Sequence, residues 1–331
     1  MDFDLEKYKL AGRKTADILD MVVKKIVVGA NVVDLCKYGD SLNKSMCFPT
    51  TISVNNIVSN FTSSYILKEG DLVKIELGSH VDNYPSMICY SMVVGPNITK
   101  EQKELLKTIS RASRKVLKLM TPDNTNIEVI DVLNKICNKH KYSLPYVNDL
   151  SVLEMAPGVS SFQISRGVLV GMNEEKPGMK EEMIHKQILN NYKEHYPYNM
   201  VEGYFEPGEV YTIDIVFSTG NGLLQPDVSN IYSRNIDSNK YNLKLSTSRV
   251  AYKQTKMFPT NINNSLKKED IVKYKMGIKE CLKHKLVNSY PVFTEKSGVL
   301  TARVKFTVVI TNDEPELITG RAIDCVNKNV V

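Results

Sequence analysis

Residues 300 to 311, LTARVKFTVVIT, alternate as a strand does. Ala302, Val304, Phe306, Val308 and Ile310 make one apolar face, and Arg303, Lys305, Thr307, Val309 and Thr311 make the other. DLVKIELGSHV and SMICYSMVVG read as two β-rich runs on either side of the turn-prone Asp82-Asn83, and EVYTIDIVFSTG at residues 209 to 220 reads as a further strand. FPTTISVNNIVSNFT reads as a strand pair broken at Asn55-Asn56. Helical spacing marks residues 3 to 27, NVVDLCKYGDSLN after Gly29, and 101 to 120, where Leu105, Leu106, Ile109, Val116 and Leu119 form a stripe. It also marks 125 to 140 beyond the break at Thr121-Pro122-Asp123-Asn124, a charged helix around 177 to 195, and a helix from Lys268 to Val287. Residues 141 to 170 are poorly patterned. Helices followed by strands occur in both halves, which predicts an α+β chain of two similar halves with an insertion in the second.

Charge sharpens that division. The chain of 331 residues has a formal net charge of +6. Residues 221 to 297 hold 14 Lys and Arg against 6 Asp and Glu, a net of +8, so the remainder carries 6 − 8 = −2. Within the segment, Arg234, Lys240, Lys244, Arg249, Lys253 and Lys256 alternate with Tyr232, Tyr241 and Tyr252. Cations among aromatics suit phosphate backbone and bases. The same tyrosines would also serve as core anchors, and the lysines as a solvated surface.

Candidate chemistry is sparse. The six cysteines are scattered without a CxxC pair and read as reduced thiols. The N-terminus lacks a basic start followed by an apolar run, so no secretory signal is expected, and no apolar run reaches membrane-spanning length. There is no GxxxxGK[ST], GxSxG, HExxH or GxGxxG. Of five histidines, only His80 in ELGSHV sits in a strand-rich motif, and a strand end near a turn accounts for it.

FPTTISVNN, YILKEGDLVKIELGSHVD, EVYTIDIVFSTG, IYSRNIDSNKYNLKLSTSR, MGIKECLKHKL and YPVFTEKSGVLTARVKFTVVI together resemble the proliferation-associated, ErbB-receptor-binding protein family from about residue 5 to 320. That family is a non-catalytic branch of the type-two methionine aminopeptidase, or pita-bread (creatinase/aminopeptidase), fold. The resemblance implies one domain over residues 1–331, with two pseudo-symmetric halves of antiparallel sheet flanked by helices and a basic insert at about 222–290.

Enzymes of this fold hold two divalent metals with two Asp, one His and two Glu, and use a further His. The resemblance sets Glu76 at the first aspartate, Met87 at the second, about Val159 at the histidine ligand, Asp214 at the first glutamate, Lys305 at the last, and Asn60 at the further histidine. A thioether cannot replace a hard carboxylate, and an amide cannot act as a base near neutral pH. The expectation is no metal, no cofactor and no catalytic residue, with Lys305 paired to Glu76 and Asp214 as the positive centre of the pocket. A solvent-facing lysine on an edge strand is the competing reading.

The resemblance further implies a monomeric, ribosome-associated factor. It would bind the large ribosomal subunit, its RNA and exit-region ribosomal proteins, in translation control or ribosome biogenesis, in the cytoplasm and also in the nucleus or nucleolus. Arg234, Lys240, Lys244, Arg249, Lys253 and Lys256 are the expected RNA contacts. The rival readings are an active metallo-aminopeptidase with unusual ligands, a nuclear export factor for pre-ribosomal large subunits, and a peptide-binding protein using the vacant pocket.

Overall fold

The computed structural model describes residues 3–147, 160–169, 186–188, 202–235, 238 and 241–320. The charged helix expected at 177 to 195 falls almost wholly outside them, and its described part, Gln187–Ile188, is a strand paired with Ser161 and Phe162 and not helix; Val159 and Lys240 lie outside the described residues.

Helix α1 (Leu5–Val23) starts at Asp4, whose carboxylate accepts the Lys7 N–H, and α2 (Val32–Leu42) starts at Asn31. Helices α3 (Lys100–Leu119) and α4 (Asn126–His140) each open on a capping box, Thr99 with Gln102 and Thr125 with Glu128. The anticipated α3 stripe is buried at Leu105, Leu106, Ile109 and Val116.

The strands are β1 (Met46–Val54), β2 (Ile57–Ser59), β3 (Leu72–Val81), β4 (Tyr84–Val93), β5 (Ser161–Ile164), β6 (Gln187–Ile188) and β7 (Val210–Ser218). After them come β8 (Gln225–Asp227), β9 (Ile231–Arg234), β10 (Thr260–Asn261), β11 (Val287–Ser289), β12 (Val292–Thr294), β13 (Thr301–Val309) and β14 (Glu316–Leu317). Among the described residues, eight strands form one antiparallel sheet in the order β1-β3-β4-β13-β7-β5-β6, with β14 also on β13. One face is apolar and carries the helices: α1 lies on β3 and β4, and α3 on β13 and β7. Val73, Ile75 and Leu77 meet Ala302, Val304 and Phe306 in the core beneath them.

The stretch read as one strand pair at Asn55-Asn56 is divided between two sheets. β1 pairs with β3, while β2 joins β12 and β8 in a small sheet over the opposite face. Asn55, with φ of 50°, makes the break, and its side chain bonds Asp71 and the Leu72 N–H.

β13 is central, with β7 along one side and β4 on the other. Against β7 the backbone register is continuous from Thr301↔Ser218 to Val309↔Val210. Against β4 there is one backbone pair, Lys305↔Cys89. On either side of it, hydroxyls take over the ladder. Ser91 Oγ accepts the Arg303 N–H at 2.8 Å and donates to the Arg303 carbonyl at 2.7 Å; Thr307 Oγ1 does the same for Met87 at 2.9 and 3.2 Å. This seam joins the two halves. A second tie runs behind it, where Glu316 of β14 pairs with Lys9 of α1 at 2.9 Å. There the Ile318 carbonyl approaches so close to Gly12 that a Cβ would stand 2.3 Å from its oxygen.

Residues 231 to 289 hold a small sheet of order β10-β9-β11, helices α5 (Ser246–Gln254), α6 (Ile262–Ser265) and α7 (Lys268–Lys283), and their own cluster of Tyr232, Ala251, Ile262, Tyr274, Ile278 and Cys281. The basic tyrosines serve this body: Tyr232 packs at 5.8 Å from Tyr274, and Tyr241 stacks on His284 at 3.5 Å between ring centres. Asn264 ties it to Asp40 of α2 at 2.7 Å. No helix among the described residues is long and apolar enough to cross a membrane.

Candidate functional site

Strand register sets the site in one row. Glu76 on β3 faces Cys89 on β4, Cys89 faces Lys305 on β13, and Lys305 faces Asp214 on β7. Directly opposed residues share a face, so all four point away from the helices. Glu76 and Asp214 stand three strand spacings apart, roughly 14 Å along a flat sheet at about 4.8 Å per step. Two carboxylates so placed need long partners to join them, and β13 supplies two.

Arg303 lies two residues before Lys305 on the same face. Its Nε donates to Asp214 Oδ1 at 2.8 Å and Nη2 to Asp214 Oδ2 at 2.6 Å. Nη1 donates to Glu76 Oε2 at 2.6 Å and Nη2 to Glu76 Oε1 at 3.1 Å. The Lys305 ammonium donates to Glu76 Oε1 and lies 3.1 Å from Asp214 Oδ2. The expected pairing of Lys305 with both carboxylates is present, and the edge-strand reading fails because β13 is interior. Arg303, singled out for nothing in the sequence, makes more of the contacts. It stands at none of the metal-ligand positions, so matching ligands one by one passes over it. The available signal was the period of two that puts Arg303 and Lys305 side by side.

The quartet is buried: side-chain exposure is 1% for Glu76, 2% for Asp214, 5% for Arg303 and 11% for Lys305. Burial alone would raise the Asp214 carboxyl, but the adjacent Arg303 and Lys305 charges outweigh it and hold the group below its ordinary range. Burial opposes the Arg303 charge too, yet Asp214 and Glu76 drive that guanidinium well above its usual value. Cys89, under the quartet, has its thiol pushed up by burial. Two residues before Glu76 on the same face, Lys74 is buried with no carboxylate bonded to it among the described residues. Its ammonium donates to the Asn55 carbonyl at 2.5 Å and Thr301 Oγ1 at 3.0 Å, and burial lowers its pKa well below the normal lysine value.

Of the other expected positions, Met87 and Asn60 line the same pocket as the quartet, and Val159 lies outside the described residues. Met87 is buried against Cys47, Phe48 and Phe258. Asn60 has a φ of 63° and donates through Nδ2 to the Pro291 carbonyl at 2.8 Å. His80 keeps to its strand end, accepting the Asn83 N–H at Nδ1, with burial lowering its pKa. The donor set does not suit a pair of divalent ions. The two carboxylates are bound by fixed cations, the Met87 thioether lines the same pocket, and no group of three or more His, Cys, Asp or Glu among the described residues could hold a metal.

In the insert, Lys244, Arg249, Lys253 and Lys256 are exposed. Glu280 of α7 accepts the Lys244 and Leu245 N–H groups at 2.8 and 3.2 Å, fixing the start of α5, and those bonds hold its carboxyl below the ordinary value. Arg234 faces inward: Nη2 donates to the Tyr252 and Lys253 carbonyls at 3.4 and 3.3 Å, and the guanidinium lies 5.0 Å from the centre of the Tyr252 ring. It satisfies carbonyls at the C-terminus of α5.

Comparison with known proteins agrees with this architecture. The profile of metallopeptidase family M24 matches residues 6–229. ErbB-3 binding protein 1 of Solanum tuberosum is 30% identical, over 96% of this chain and 81% of its own. A curved DNA-binding protein of Schizosaccharomyces pombe is 28% identical, over 93% and 81%. The solved structure of a thermophilic Arx1 superposes with a TM-score of 0.76 at 21% identity, covering 95% of this chain and 90% of that one. The fold is the M24 pita-bread fold, and the chain belongs to metallopeptidase family M24, among the relatives of ErbB-3 binding protein 1.

Proposed function

We propose that this protein is a non-enzymatic member of its family. In this reading it is a cytoplasmic and nuclear or nucleolar factor that binds RNA of the large ribosomal subunit near the peptide exit through its basic insert, in translation control or ribosome biogenesis. The observation that carries the non-enzymatic part is the Arg303 guanidinium lodged between Glu76 and Asp214, with Lys305 beside it. Two fixed positive charges stand where the family's enzymes need two metals and an activated water, and among the described residues no general base beyond the two cation-bound carboxylates lines the pocket.

The binding part rests on the net charge of +8 over residues 221 to 297 and on its presentation. Lys244, Arg249, Lys253 and Lys256 are exposed on a body with its own core, anchored by Glu280. Exposed cations on a fixed scaffold meet phosphate at little ordering cost and with little sequence selectivity. Lys240 belongs to the proposed set from its place in the sequence; Arg234 acts through holding α5. A relative named for binding curved DNA is consistent with a nucleic-acid role.

Sedimentation with purified large ribosomal subunits across a salt series tests this. The wild-type protein should lose affinity steeply with salt. A variant carrying Lys244→Gln, Arg249→Gln, Lys253→Gln and Lys256→Gln should bind more weakly, with the slope of log K against log salt reduced by about 3, at roughly 0.7–0.9 per lost phosphate contact. Equal sedimentation of the variant refutes the surface. Stronger competition by curved duplex DNA than by ribosomal RNA would replace RNA as the ligand.

A further inference from the structure

Above the quartet lies a pocket with a volume of about 60 Å³, walled by Phe48, Met87, Phe162, Leu169 and Phe293. At about 10–15 Å³ for each water-sized occupant, it holds a short chain of a few heavy atoms. Its polar floor is ordered in depth. Glu76 and Asp214 are almost sealed, and the Lys305 ammonium is the most exposed of the four charges, 5.9 Å from the Phe48 ring centre. An entering molecule therefore meets the ammonium before the carboxylates.

Two donors at this floor are unspent. Arg303 and Lys305 carry five and three N–H groups. Four of the first are bonded and two of the second face carboxylates, which leaves a Lys305 N–H without a partner among the described residues. Thr212 is two residues from Asp214 on the same face of β7 and also lines the pocket. Its residue is 6% exposed, and Oγ1 is buried with no hydrogen-bond partner among the described residues. A buried, unbonded hydroxyl is costly and uncommon, and it marks a place where a polar atom is missing.

We propose that this pocket binds a carboxylate carried on a short apolar stem. One oxygen takes the free N–H of Lys305, the Thr212 hydroxyl donates to the carboxylate, and the stem lies against Phe48 and Met87. A primary amine is excluded, because it would face Lys305 and find both carboxylates already bonded to cations. The four site charges cancel formally, and charge-assisted hydrogen bonds to an anion are about twice as strong as neutral ones. A free acid and a peptide C-terminus share this chemistry. The inference rests on cations holding the centre in place of metals.

The test uses the full chain labelled with 13C at methionine methyl groups, with the Met87 resonance assigned through Met87→Leu. The probes are 3-methylbutanoate, its amide, 3-methylbutylamine, and N-acetyl-alanyl-leucine as acid and as amide. Saturable shifting of Met87 by the acids, with Kd on the order of 1 mM, is expected. The amine should give no shift at tenfold higher concentration. Saturation by 3-methylbutanoate assigns the source as free acids; saturation by the acetylated dipeptide acid alone assigns it as a chain terminus, and either supports the pocket. Thr212→Val, close in shape and without the unbonded hydroxyl, should weaken the acid several-fold without lowering the unfolding midpoint.

No saturable shift by any acid, or an unchanged Kd in Thr212→Val, overturns the proposal. Amine binding to metal-free protein overturns the inference alone. Amine binding that appears only with stoichiometric divalent metal overturns the non-enzymatic reading as well.

Discussion

Without the Arg303 guanidinium, two carboxylates no more than 2% exposed would face a single ammonium. An uncompensated buried charge commonly costs about 3–5 kcal/mol, so Arg303→Met should lower stability by that amount in urea. Adding Asp214→Asn removes the opposite charge and should recover part of the loss, a coupling that a double-mutant cycle measures. A loss under about 1 kcal/mol for Arg303→Met would mean that water reaches the quartet. Lys74 makes a separate prediction. Its folded pKa lies below the unfolded value of about 10.4, so the unfolded chain binds more protons in the interval between them, and stability rises with pH across it. The buried cysteines act oppositely above about pH 8.5, because the unfolded thiols ionise first. The wild-type protein should therefore be compared with Lys74→Met. The stability difference between them should move in favour of the wild type from pH 7 to 10, and a flat difference would show that Lys74 stays charged in the fold.

Among the elements, those legible in the sequence had a strong period or a capping signal. α1, α3 and α4 follow apolar stripes, two of them behind a Thr with Gln or Glu three residues on. β13 showed the right two faces, and its apolar one is in the core. What the alternation left open was whether water or another layer covers the polar face, since period two is the same for both. α5 escaped because it buries only Ser248 and Ala251, too little for a stripe, and its start is held by Glu280 from far along the chain. The Asn55-Asn56 break was legible and its outcome was not: a left-handed turn looks alike whether the strands beside it pair or part. At the site, the carboxylates and Lys305 came from position-by-position resemblance. The period of two already set Arg303 beside Lys305, but its partners needed the register of four strands, which no local pattern records.

For the whole molecule, the joint between the halves governs how they come apart. Elsewhere in the large sheet, strands are laced by main chain that every sequence possesses; between β4 and β13 the lacing depends on which residues are present. Ser91 and Thr307 supply side-chain bonds at that line, and each net hydrogen bond is worth about 0.5–1.5 kcal/mol. Replacing both, as Ser91→Ala with Thr307→Val, should lower stability by about 2–4 kcal/mol, more than half of it through stranded peptide groups. Hydrogen exchange should then show Arg303 and Met87 amides opening well before those of β7, whereas uniform loss across the sheet would mean that the joint is no weaker than its neighbours. Cooperativity in this fold is thus written in side chains. Two hydroxyl-bearing residues set much of the grip at this joint, beside the ion pairs of Glu76 with Arg303 and Lys305 that cross it, so the coupling of the halves is open to change by side-chain substitution.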